Sequence, residues 1–164
     1  MYLFGHAGLT VAAARAVDRD ADPRWAAALA LAPDLIDKPG SRLWPALVHH
    51  NTRGLGHTLL FSLVVLAAAS VWKRRPKTAL VLWGCYAGHF LLDGMWRNDN
   101  PAILLWPLLG HFPRPTRGHL LSWVTLVSVL GEIAGLLLMV GLARRHDLFK
   151  RDRLAGFLRT GRLS

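Results

Sequence analysis

Cysteine is nearly missing from this sequence: Cys85 is the only one. A single thiol excludes an intrachain disulfide and any zinc site built on cysteine. Acidic residues are also scarce, ten against twenty lysines and arginines, for a formal charge of +10 over 164 residues. There is no internal repeat and no low-complexity linker, and the length is that of one domain. No basic segment precedes the first apolar stretch, "MYLFGHAGLTVAAARAV", in which charge arrives only at Arg15. That pattern argues against a cleaved signal peptide.

What the chain does have is apolar sequence, 52% of its residues. A strongly hydrophobic composition and a high positive charge are compatible only if the charge is segregated. Lys73, Arg74, Arg75 and Lys77 form one cluster, and Arg144, Arg145, Lys150, Arg151, Arg153, Arg159 and Arg162 a second. Eleven of the twenty basic residues therefore flank apolar runs, the distribution of a membrane protein with cytoplasmic positive segments. A nucleic-acid surface would interleave cations with aromatics along one face, so nucleic acid is not an expected partner. The expected partners are membrane lipids, and oligomeric state is not legible.

Five helical segments are predicted: about His6 to Val17; Trp25 to a stop around Pro33; His57 to Trp72; Lys77 to Trp96; and Leu120 to Leu142. A bilayer core takes ~20 helical residues, so the fourth and fifth read as spans and the first two as partly embedded helices. The expected architecture is an all-α integral membrane bundle of about five helices. Residues 1–146 form the embedded domain, and 147–164 a basic cytoplasmic tail.

With "KRRPK" and the tail on the cytoplasmic side, alternation of the helices sends their polar ends the other way. His6 opens the first helix, Asp34 and Asp37 close the second, His57 opens the third, and His89 and Asp93 lie late in the fourth. Metal-competent residues from separate helices should thus gather at the non-cytoplasmic end. His89 and Asp93, four residues apart, project from one helical face. They can share a zinc ion at ~2.0–2.2 Å, or simply pair with each other. Ionisable groups within an apolar span are rare and usually functional.

Asp34 and Asp37 share a face if the helix continues through them. Such a pair can bridge metal ions or orient a water as general base, although Asp-Lys-Pro-Gly is also ordinary turn chemistry. Arg53, in the glycine-rich "TRGLGHTLLF", suits a phosphate or carboxylate, or lipid head groups. His50 is a possible extra ligand. Glu132, alone in the last apolar run, is either a hydrogen-bonded structural carboxylate or part of a polar path.

Taken in order, "FGHAGLT", "LAPDLIDKPG", "TRGLGHTLLF", "GHFLLDGMW" and "LLWPLLG" resemble the YdjM-like family of membrane-bound, metal-dependent hydrolases. That family is similar to zinc-dependent phospholipase C and the single-strand nucleases of its superfamily. The resemblance implies that His6, Asp34, His57, His89 and Asp93 are metal ligands. It also implies a divalent cofactor, most simply one or two Zn2+ ions. The chain departs from the family pattern at Lys38, where a His is common after the second carboxylate, and at Thr52, where a His commonly precedes Arg-Gly. His50 or Asp37 is the available substitute. The function expected is metal-assisted hydrolysis of a phosphoester, such as a phospholipid or lipid-linked phosphate, with Asp34 or Asp37 handling a water and Arg53 holding phosphoryl oxygens. A non-catalytic protein that binds or transports a divalent metal, with Glu132 as waypoint, is the alternative. The location implied is a bacterial or archaeal cytoplasmic membrane.

Overall fold

The computed structural model describes residues 3–49, 51–73, 75–97, 100–113 and 123–163. Among these there is no strand. The helices are α1 (Leu3–Val17), α2 (Pro23–Leu43), α3 (Pro45–Val48), α4 (Leu59–Lys73), α5 (Pro76–Leu92), α6 (Asn100–Leu104), α7 (Trp123–Arg145) and α8 (Arg151–Thr160), with a 3-10 turn at Leu55–His57. α1, α2 and α5 pack on one another, α4 packs on α5, and α7 packs on α1.

The second helix corrects the expectation of a stop at Pro33. α2 begins at an Asp22 cap, whose side chain accepts the Arg24 amide at 2.9 Å, with Pro23 in the first turn where its missing N–H costs nothing. It then runs through Pro33 and Pro39. An interior proline forfeits one backbone bond and costs ~3 kcal/mol, but packing overrides that local cost, and Pro33 is buried against the loop that carries His57. Continuity through Pro33 is what places Asp34 and Asp37 on one helix, three residues apart.

The fourth predicted helix is shorter than expected. α5 ends at Leu92 because Gly94, at φ +64°, turns the chain left-handed. The Met95 amide reaches back to the Phe90 carbonyl at 3.0 Å and the Gly94 amide to that of Leu91 at 3.2 Å, a Schellman closure. Met95 and Phe90 then join Tyr86, Ile103 and Phe112 in a buried cluster beneath the loops. The remaining core is built on small residues, Ala14, Ala21, Ala26 and Cys85, which let α1, α2 and α5 approach closely.

Among the described residues only one helix is long and apolar enough to cross a bilayer: Leu126–Arg145, within α7, with few of its residues buried. α5, read as a span from sequence, has 17 residues, and α1 and α4 have 15 each. α7 meets α1 where Gly8 faces Gly135, and a Cβ on either would be driven into the other helix's backbone. Small residues at such a crossing let helices pack without a hydrophobic driving force. Beside that contact the Glu132 carboxylate accepts the Phe4 amide at 2.8 Å and the Gly5 amide at 2.7 Å. It caps the free start of α1 from another helix, the structural role among the two open to it. The 147–164 segment carries α8, tied to the bundle where the Arg24 guanidinium donates to the Leu158 carbonyl at 2.6 Å.

Candidate metal centre

His6 from α1, Asp34 from α2, His57 from the 3-10 turn, His89 from α5 and Asp93 just after α5 lie together at one end of the bundle. All three imidazoles are buried. The centre of the group is a close approach of two rings: His57 Nε2 and His89 Nε2 stand 3.1 Å apart. Asp34 Oδ1 is 3.9 Å from each of these nitrogens, and Asp93 Oδ2 is 3.9 Å from the first and 4.0 Å from the second. His6 stacks on His89 with ring centroids 4.0 Å apart and directs Nε2 at Asp93 Oδ1, 3.2 Å away.

The outer nitrogens fix the tautomers. His89 Nδ1 faces the Ala30 carbonyl at 2.7 Å, an acceptor only, so the ring donates from that nitrogen. His57 Nδ1 faces Asp37 Oδ2 at 2.7 Å and donates likewise. In a neutral imidazole the other nitrogen then carries a lone pair, so the two Nε2 atoms point lone pairs at the same small volume. Two acceptors 3.1 Å apart repel unless a cation or proton lies between them.

Asp37 is buried and receives four N–H groups: the amides of Gly54 (2.7 Å), Gly56 (2.8 Å) and His57 (3.1 Å), and the His57 ring. It fastens the His57 loop to α2. Tyr86 adds a second fastening, its hydroxyl donating to the Gly56 carbonyl at 2.5 Å. Arg53 donates from Nε (3.2 Å) and Nη2 (3.0 Å) to Asp93 Oδ2, and Lys38 Nζ donates to Asp34 Oδ2 at 2.7 Å. Burial works against ionisation of Asp93, while the His6 hydrogen bond and the Arg53 guanidinium favour it, and the carboxyl lies below the ordinary carboxylate range. Arg53 and Lys38 are the solvent-facing members, with side chains 36% and 61% exposed.

Two sets of three have donor atoms close enough to hold one ion: His6, His89 and Asp93; and Asp34, His57 and His89. His50 and His119 lie outside the described residues, and His49, His111 and His146 belong to neither set. Sequence reasoning gave Lys38 no role beyond a departure from a pattern, although it lies one turn after Asp34 on the same helical face. Tyr86 and the Ala30 carbonyl were also passed over. Tyr86 had a legible signal, lying three residues before His89 on one face of α5, whereas a backbone carbonyl has none.

Neither the curated proteins nor the solved structures yield a match. The apolar, exposed α7 fits a membrane location. A family model described as YdjM inner membrane protein matches residues 1–158, and the chain belongs to that family.

Proposed function

We propose that this chain is a membrane-embedded, metal-dependent hydrolase of phosphoesters, with phospholipids or lipid-linked phosphates as the substrate class. The observation that carries the reading is the His57–His89 pair, whose tautomers are fixed from outside and whose lone pairs converge 3.1 Å apart between two carboxylates. Tetrahedral zinc with bonds of ~2.0–2.1 Å to nitrogen sets its donors ~3.3 Å apart. The donor set here, two imidazoles with carboxylate oxygens within 4.0 Å, fits such an ion. Outer hydrogen bonds from Asp37 and Ala30 are the support that metal-binding histidines normally receive.

His57, His89 and Asp93 would hold the ion, with His6 beside Asp93, which leaves a fourth position for a water next to Asp34. Both three-residue sets depend on the one free lone pair of His89, which serves a single ion. One divalent metal is therefore the simplest occupancy, most plainly Zn2+. When bound, it supplies Lewis acidity and brings the pKa of water down to ~7. Asp34 is the more solvent-open of the two flanking carboxylates and is the group that orients the attacking water and takes its proton. Arg53 and Lys38, at the outer edge, would meet phosphoryl oxygens, Arg53 through Nη1 while its Nε and Nη2 hold Asp93. Asp37 acts as a positioning residue, since its oxygens are engaged by the loop it holds.

Segregation of the basic residues supports placing this end of the bundle on the non-cytoplasmic side, within reach of lipid head groups. The choice of phosphoester rests on the relationship to zinc-dependent phospholipase C that the sequence resemblance implies. Metal transport needs Glu132 as a waypoint, and both of its oxygens are engaged by the start of α1.

The test is release of phosphorylated head group from phospholipid vesicles by the full-length protein supplied with zinc. Chelator-sensitive release is expected, with Asp34→Asn slowing it ~100-fold or more. Release equal to that of a His57→Ala/His89→Ala double variant would end the hydrolase reading.

A further inference from the structure

Away from the metal centre, α1 and α7 leave between them an open groove of about 900 Å³. Ala12, Leu137 and Leu138 are among its apolar lining residues, and Leu137 and Leu138 are exposed. Its far end is cationic: Arg15, Arg19 and Arg145 all border it. Arg15 donates to the Arg19 carbonyl just beyond the end of α1. Among the described residues none that line it is acidic. Of the nearby carboxylates, Asp147 pairs with Lys150 at 3.3 Å and Asp18 accepts the Asp20 amide at 3.1 Å.

We propose that this groove is a binding site for an anionic phospholipid, with its phosphate on Arg15, Arg19 and Arg145 and an acyl chain lying against Ala12, Leu137 and Leu138. The length agrees. From Ala134 to Arg145 the helix rises ~16 Å, and one leaflet is half of a ~30 Å hydrocarbon core. The chemistry agrees as well. Three guanidiniums border one end of an apolar wall, and basic pockets between membrane helices recognise acidic head groups. An apolar helix from another chain would fill the walls but leave the arginines unmatched. Continuity with α7 puts the site in the leaflet at the basic end of the bundle, independent of any hydrolytic role.

The test is thermal unfolding of the full-length protein in detergent with added phosphatidylglycerol, phosphatidylcholine or inorganic phosphate. Phosphatidylglycerol should raise the midpoint by about 5 °C, and phosphatidylcholine and phosphate should leave it unmoved. Arg19→Gln, at an exposed position, should at least halve the shift, and Arg15→Gln/Arg19→Gln/Arg145→Gln should abolish it. Ala12→Trp, which fills the groove with every arginine in place, should also reduce it. Equal stabilisation by phosphatidylcholine overturns the head-group assignment, and equal stabilisation by phosphate overturns the lipid. Loss of the shift in Arg151→Gln/Arg159→Gln, with the groove variants unaffected, overturns the groove and moves the contact to α8.

Discussion

The Asp37 carboxylate is the residue on which the local geometry depends most. It accepts three backbone amides and the His57 ring in a buried setting, so truncation would strand several donors at once. Each buried donor left unpaired costs ~1–3 kcal/mol. Asp37→Ala should therefore destabilise the protein by several kcal/mol. Asp37→Asn, which keeps the shape, should weaken metal affinity by ~10–100-fold. Chemical denaturation and a competitive metal titration measure the two effects separately. Lys38→Gln should change stability by under ~1 kcal/mol, because its partner contact is on an exposed side chain. The helical neighbours of this site were legible in the sequence, since His89–Asp93 and Asp34–Lys38 are both four-residue spacings. The role of Asp37 was not. Its donors come from a loop up to twenty residues on, and no local pattern records which amides will fold onto which carboxylate.

Among the elements, α1 carries His6 and is fixed to α7 by two devices, the Gly8–Gly135 contact and the Glu132 cap. Glu132→Ala removes a charged acceptor from two helix-start amides, each such bond being worth about 1.5–3 kcal/mol. It should lower the unfolding midpoint and loosen α1 first, which hydrogen exchange of the α1 amides would show. Gly135→Leu should separate the helices and lower the midpoint by several degrees, whereas Gly141→Ala, where an added Cβ meets nothing, should be silent. Equal effects at the two glycines would contradict the crossing. The glycines are plain in the sequence, but their partners are not, because Gly8 and Gly135 lie far apart along the chain. Pro33 shows the opposite difficulty: a strong local signal for a helix stop was overridden by the packing of α2 against α1, α5 and the His57 loop.

For the whole molecule, polarity along the bundle is the organising feature. The metal-competent residues lie at one end, and Arg15, Arg19, Lys73, Arg75, Lys77, Arg144 and Arg145 lie at the other. The helical class and this charge segregation were readable from composition and apolar runs. The number of spans was not, because 15 residues of α1 or α4 rise only ~22 Å, short of a ~30 Å core. The basic end should face the cytoplasm. In intact cells a membrane-impermeant maleimide should then label Leu108→Cys, at an exposed position on the metal-centre end, and leave Lys150→Cys unlabelled. Cys85 is buried and gives little background. The reverse labelling pattern would invert the topology.

The central claim is that a divalent cation lies between His57 and His89, and elemental analysis of the full-length protein, purified without chelator, tests it most directly. About one equivalent of zinc or a similar divalent metal should accompany each wild-type chain, by the lone-pair count at His89. It should be lost from both His57→Ala and His89→Ala and kept in His111→Ala. Metal-free wild-type protein, or metal undiminished in the first two variants, would mean that the imidazoles share a proton, and the account of the site would be wrong.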